Sequence, residues 1–280
     1  MMRVALIGSP LKRRHSAVMH NAAFRHYQVD ATYELRELFL DQLDGFFVEA
    51  RGEEWLGFQV TAPYKQEALA RCDEVDHAAR RIGAVNSVER RPDGSLVGFN
   101  SDAPGFARSV QTDLGLDMKD AVVAVAGAGG AARAVIDAAL EAGASTVIVG
   151  NRTRSTAERL VESIGDERLH AAELGEEFES GLDEANLAVN ATTVGMTTPG
   201  SAFDVARLGN GAAVFDLVYV PSKTEVLETA TARGLAAANG AGMLVAQAEI
   251  AFERWTGIAA AGGVMREAVE PILQDPGSGA

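Results

Sequence analysis

The segment VAVAGAGGAARAV, residues 123–135, narrows the possible folds more than any other stretch of the chain. An apolar run ends in glycines and passes at once into an alanine-rich helical pattern. A buried parallel strand needs that composition, and a helix N-terminus that receives a pyrophosphate needs that turn. Gly127 permits the tight turn, Gly129 lets the backbone approach a phosphate, and Ala132 keeps the helix close to the strand. Ala128, Gly130 and Ala131 complete a candidate dinucleotide loop. Parallel strands need crossovers, so the apolar runs TVIV and AVFDLV further on are read as neighbours in a doubly wound sheet.

The cofactor type follows from the end of the second strand. An NAD site carries an acid there for the ribose hydroxyls. This chain instead reads Gly150, Asn151, Arg152, Thr153, Arg154. Arg152 offers a planar donor fork suited to a 2′-phosphate, which favours NADP. Arg154 adds a second cation, although a helix start disfavours it without an anion. A pair of solvated surface arginines is the alternative reading.

A length of 280 residues leaves room for a second domain. The first third alternates strand and helix: Arg3 to Ile7, Ser16 to Tyr27, Thr32 to Arg36, Leu40 to Glu49 and Trp55 to Val60. A hairpin is expected from Ala84–Glu89 and Ser95–Gly98 around Pro92, Asp93 and Gly94. From Gly240 to Ile272 the pattern is helical, with Met243, Leu244, Ala246, Gln247, Ile250, Ala251 and Trp255 spaced for one face.

A net charge of −14 argues against a nucleic-acid partner, whose phosphates are bound by clustered cations. Cys72 is the only cysteine, so no intramolecular disulfide or multi-thiolate metal site can form, and a metal-free site is expected. The N-terminus reads as a strand, and residues 121–150 carry too many charges to span a membrane. A cytoplasmic protein without a membrane partner is expected.

Hydride transfer to a ketone leaves an alkoxide that needs a proton donor and a group to orient it. Lys65, in GFQVTAPYK, is the candidate donor, with Pro63 expected to open a short helix that holds it. Asp102, in GFNSDAPGF, is the candidate partner. In isolation each has an ordinary reading: a surface lysine in a helix's first turn, and an N-cap for the helix that follows.

Together the segments GSPLKRRHSAVMHN from Gly8, VTAPYK, GAVNSV from Gly83, GFNSDAPGF, GAGGAARA, NRT, NATTVGM, FDLVYVP and GMLVAQA resemble the shikimate dehydrogenases across nearly the whole chain. The resemblance implies a two-domain α/β fold, with a substrate-binding domain at 1–101 plus 243–280 and a Rossmann-type NADP-binding domain at 102–242. It implies reversible reduction of 3-dehydroshikimate to shikimate in aromatic amino-acid biosynthesis. Lys65 and Asp102 would then stand at the reacting hydroxyl, and Ser16, Thr61, Asn86, Tyr219 and Gln247 around the substrate. Thr192, Leu217 and Gly240 would lie near the nicotinamide.

Two places depart from that family's pattern. Arg13 and Arg14 stand where His and Ser are expected, so Arg14 would replace a hydroxyl's hydrogen bond to the substrate carboxylate with a charge-assisted one. Gln59 stands where Asn is usual, which would carry an amide about 1.5 Å further into the pocket. Alternatives therefore remain: a paralogue acting on quinate or another cyclic hydroxy acid, a related enzyme such as a methylene-folate dehydrogenase, or an inactive NADP-binding sensor. A monomer or a homodimer is compatible with the sequence.

Overall fold

The computed structural model describes residues 1–11, 14–259 and 261–274, so Arg13 lies outside the described residues. The strands sort into two six-stranded sheets, and the chain divides into a unit of Met1–Ser101 with Val245–Ala280 and a unit of Asp102–Leu244.

The first unit contains β1 (Met2–Gly8), α1 (His15–His26), β2 (Ala31–Glu37), α2 (Leu43–Glu49), β3 (Trp55–Val60), α3 (Lys65–Leu69), β4 (Glu74–Val75), α4 (His77–Ile82), β5 (Ser87–Arg90) and β6 (Leu96–Phe99). They form a mixed sheet of order β2-β1-β3-β5-β6-β4, with β1 parallel to both neighbours and β5 antiparallel to β3 and β6. Phe46 packs edge to face on Trp55 and Phe58, with centroids 5.4 and 4.9 Å away. These large rings bury the apolar side of β3.

The expected hairpin exists, but its first strand begins at Ser87, three residues later than the alternation suggested. Left-handed Gly83, at φ 71°, ends α4, and residues 84–86 run from that cap into the strand. The short α4 escaped the sequence reading although Asp76 caps it, accepting from the Ala79 N–H at 2.8 Å. Similarly, α3 opens at Lys65 itself, with Tyr64 as its N-cap and Pro63 in the preceding turn.

The expected helical tail is two helices, α10 (Ala241–Thr256) and α11 (Gly262–Gln274), separated at left-handed Gly257. Burial along α10 is wider than the single predicted stripe. Val245, Ala248 and Phe252 are buried, while Met243, Leu244 and Ile250 are only half-buried. Helix α11 packs on α1, the two contributing Met265, Val269, Met19 and Ala23 to the core.

The second unit contains α5 (Asp102–Leu114), β7 (Val122–Ala126), α6 (Gly130–Glu141), β8 (Thr146–Asn151), α7 (Arg154–Ile164), β9 (Leu169–Glu173), α8 (Glu176–Leu182), β10 (Leu187–Asn190), β11 (Ala213–Asp216), α9 (Glu225–Ala232) and β12 (Ala236–Asn239), with the first residues of α10. All six strands are parallel, in the order β9-β8-β7-β10-β11-β12. That is a doubly wound sheet whose order reverses between β7 and β10, the place where such sheets bind ligands. The continuous apolar strands are its centre, and Val123, Ala124, Val125 and Ala126 are fully buried. No described helix is long and apolar enough to cross a membrane.

Candidate active site

Register lines up the carboxyl ends of β7, β10, β11 and β12, with Ala126 beside Asn190, Asn190 beside Asp216 and Asp216 beside Asn239. The loops that leave this row carry most of the expected cofactor residues. Gly127 has φ +117°, and a Cβ there would stand 2.7 Å from the Ala191 carbonyl oxygen, so only glycine lets the first turn close on the loop after β10. Beyond it the surroundings open. A Cβ on Gly129 or Gly130 would meet nothing within 4 Å, and both residues are exposed where α6 begins. This free N-terminus of a twelve-residue helix fits a pyrophosphate.

At the end of β8, Asn151 turns its side-chain amide onto the Thr153 carbonyl at 3.0 Å, shaping the turn. Arg152 is exposed and has no hydrogen bond or ion pair with any described residue. Arg154 differs: its guanidinium holds Glu158 at 2.8 Å and Glu177 at 2.5 Å. Of the two cations expected near a 2′-phosphate, only Arg152 keeps its charge uncommitted within this unit.

Asp216 organises the neighbouring loops, a role the sequence reading did not assign. It is fully buried and accepts from Asn190 Nδ2 at 2.9 Å, the Val218 N–H at 3.0 Å and Thr224 Oγ1 at 2.5 Å. Burial pushes its carboxyl above the ordinary range, with the three donors opposing the shift. Asn190 in turn accepts from the Thr192 N–H at 3.0 Å and Thr192 Oγ1 at 2.7 Å. Thr192 and Leu217 are thereby fixed from one buried acid. Gly240 closes the group, since a Cβ there would lie 2.3 Å from the Leu217 carbonyl oxygen. Tyr219 follows on the same loop, half-buried.

In the first unit three of the expected substrate residues, Gln59, Asn86 and Gln247, share a buried polar network with Ser101. Asn86 accepts from the Ser101 N–H at 2.8 Å and donates to Ser101 Oγ at 3.0 Å. Gln59, only 4% exposed, accepts from Tyr33 Oη at 2.6 Å and donates to Gln247 Oε1 at 2.8 Å. The extra methylene, expected to carry the amide further into the pocket, takes it to buried bonds with Tyr33 and Gln247. Ser16 is the second residue of α1, with its hydroxyl near that of Tyr33. Thr61 is tied by its N–H to the Ile7 carbonyl at 2.9 Å. Arg14 is exposed at the N-cap of α1 and makes no cap bond. Tyr33 and Ser101 were missed because each looks like an ordinary strand or loop residue until its partners are known.

Lys65 is fixed by its backbone from both sides. Preceding Tyr64 is buried and donates to the Leu38 carbonyl at 2.9 Å, and the Lys65 carbonyl accepts from the Val85 N–H at 2.9 Å, one residue before Asn86. Its side chain is half-buried. Asp102 is the first residue of α5 and follows Ser101 directly. The capping role open to it in the sequence is therefore replaced by a place inside the first turn, where a carboxylate suits the helix dipole.

Family comparison matches the model described as the shikimate dehydrogenase substrate binding domain to residues 6–88. The shikimate/quinate 5-dehydrogenase model matches residues 108–198, and the shikimate 5′-dehydrogenase C-terminal domain model matches residues 240–270. An NADP(+) shikimate dehydrogenase from Methanopyrus kandleri is 38% identical over 95% of this chain and 94% of its own. The chain belongs to the shikimate dehydrogenase family. Among solved members, shikimate 5-dehydrogenase from Thermus thermophilus, in complex with NADP(H) and shikimate, matches at a TM-score of 0.86 and 38% identity, over 97% of this chain and 99% of that one. Quinate dehydrogenase from Corynebacterium glutamicum, in complex with NAD, matches at 0.89 and 32%, over 96% and 99%. The family's substrate-binding N-terminal domain and Rossmann-like parallel sheet are both present in this member.

Proposed function

We propose that this shikimate dehydrogenase family member catalyses the reversible NADPH-dependent reduction of 3-dehydroshikimate to shikimate. What carries the reading is its 38% identity, over 97% of the chain, to an enzyme solved with NADP(H) and shikimate. The open helix start at Gly129–Gly130 fits the pyrophosphate, and uncommitted Arg152 fits the 2′-phosphate. Ala128, Ala131, Asn151, Thr153 and Arg154 complete the cofactor side, with Thr192, Leu217 and Gly240 toward the nicotinamide. When bound, NADPH supplies the hydride.

The chain's own groups supply the proton and the fit. Lys65 Nζ gives a proton to the oxygen of the reduced carbonyl, and Asp102 accepts a hydrogen bond from the substrate and orients it; in the oxidative direction Lys65 takes the proton back. Arg14, Ser16 and Thr61 hold the substrate on one side, and Asn86, Tyr219 and Gln247 on the others, with Gln59 behind Gln247 through the hydrogen bond between their amides. A site of fixed amides and hydroxyls discriminates strongly against analogues lacking a hydroxyl. On this reading the protein is a cytoplasmic enzyme of aromatic amino-acid biosynthesis, monomeric or homodimeric.

Purified protein is expected to reduce NADP⁺ with shikimate, followed by nicotinamide absorbance. Turnover of quinate in preference to shikimate would support the second reading, which the quinate dehydrogenase match and exposed Arg14 favour. Absence of turnover across cyclic hydroxy acids would support a sensor. Arg152→Ala should weaken NADP⁺ roughly ten- to a hundredfold, the range of a lost charge-assisted bond, and NAD⁺ by less than about twofold. Equal losses for both would remove Arg152 from the 2′-phosphate.

A further inference from the structure

We infer that Tyr33 and Gln59 act as positioning residues, forming a one-way hydrogen-bond relay that turns Gln247 so that it offers substrate an N–H donor and not a carbonyl oxygen. This inference rests on the dehydrogenase reading only in taking Gln247 as a substrate residue.

The direction of the relay follows from its first member. Tyr33 Oη donates to Gln59 Oε1 at 2.6 Å, with the Ser16 hydroxyl nearby. Complete burial holds the phenol far above its ordinary range, so the hydroxyl stays protonated and donates its hydrogen bond to the Gln59 oxygen. An amide whose oxygen is taken can continue only through its nitrogen, and Gln59 Nε2 donates to Gln247 Oε1 at 2.8 Å. Ser101 Oγ lies 3.5 Å from the same oxygen. The carbonyl end of Gln247 is therefore engaged by protein donors.

Tyr33 is unusually well held for this task. Asn21 clasps its backbone, accepting from the Tyr33 N–H at 2.8 Å and donating to its carbonyl at 2.9 Å. His20 stacks flat on its ring, with centroids 4.6 Å apart and planes 5° apart. The hydroxyl has little freedom to point elsewhere.

The consequence for specificity is chemical. A ring hydroxyl facing Gln247 must accept, as an alcohol oxygen does readily. An ammonium in its place has no lone pair and would set donor against donor. The relay thus selects a hydroxylated ring over its aminated counterpart at that position.

The test uses wild type, Tyr33→Phe and Gln59→Leu, each first checked for cooperative thermal unfolding. In the wild type, among shikimate analogues with each ring hydroxyl replaced in turn by an ammonium, one is expected to bind at least about tenfold more weakly than shikimate. Both variants should raise KM for shikimate roughly tenfold with kcat within about twofold, and should narrow the discrimination against that analogue by a similar factor. In ligand-free protein, the Gln247 side-chain amide resonances should shift between wild type and Tyr33→Phe, because the bond to its carbonyl oxygen polarises the whole amide. Unchanged KM, discrimination and resonances in folded variants would overturn the relay. If the wild type fails to oxidise shikimate, the dehydrogenase reading falls, while the amide resonances still decide the relay by themselves.

Discussion

Lys65→Ala is expected to lower kcat for shikimate oxidation by about a thousandfold, with a far smaller change in KM. Removing a positioned proton-transfer group costs about 10²–10⁴ in rate. The loss should fall on kcat because the amine's contribution is greatest as the proton moves, and other groups carry ground-state binding. Structural collapse is not the expected cause. Lys65 is held by its backbone carbonyl, which accepts from the Val85 N–H, and by its neighbour Tyr64, whose hydroxyl donates to the Leu38 carbonyl, and both bonds survive truncation of the lysine side chain. Asp102→Asn should also reduce kcat, and the double variant should lose less than the product of the single losses, because two groups acting on one proton are not independent. Retention of a tenth or more of wild-type kcat in Lys65→Ala would assign the proton to another group.

Acid is expected to destabilise the protein through His20 before most carboxylates are protonated. This imidazole is completely buried among aromatic rings, with Tyr33 on one face and Trp255 and Phe252 nearby. Burial, only partly opposed by the Gln59 side chain, pulls its pKa from 6.5 down to about 3. Above pH 6.5 the ring is neutral in both folded and unfolded chains, and the protein has its full stability with respect to this group. As pH falls from 6.5 toward 3, the unfolded chain binds a proton that the folded one refuses. Stability is then lost at about 1.4 kcal/mol per pH unit. Below about 3 both states are protonated and the loss ends. Between pH 6.5 and 5 this amounts to about 2 kcal/mol, and His20→Phe should remove it while keeping an aromatic ring beside Tyr33. Denaturant unfolding of both proteins at the two pH values isolates the effect, since the carboxylates are common to both. Parallel pH dependences would show that His20 already carries its proton in the fold.

What the sequence revealed and what it hid divide along sequence separation. Trp55–Val60 emerges as a strand with the bounds its alternation and apolar content suggest, and the glycine turn at Gly127 sits where the strand order reverses. These features depend on neighbours a few residues away. Strand β12, Ala236–Asn239, was not recognised because it is an alanine run at a sheet edge whose strand character comes from pairing with β11. The Gln59–Gln247 bond joins positions 188 apart, and the Asn190–Asp216 bond joins ends of adjacent strands. No local pattern announces either pair. Gln59 illustrates the limit: its longer side chain was visible, and the direction in which the length was used was not. Likewise the helix start at Arg154 already set it below Arg152 in the sequence, but the ion pairs to Glu158 and Glu177 that occupy it were not legible there.

The division of the chain carries a consequence for biogenesis. Residues 102–244 are contiguous, so every contact within their unit becomes available once residue 244 has left the ribosome. The other unit must wait. Its first 101 residues emerge before that unit, yet α11, which packs on α1, and Trp255, whose indole reaches the Val88 carbonyl at 2.9 Å, are translated after it. The nascent first sheet therefore keeps an apolar flank uncovered through synthesis of the whole nucleotide-type unit, and Gln247 joins Gln59 only after that unit has been made.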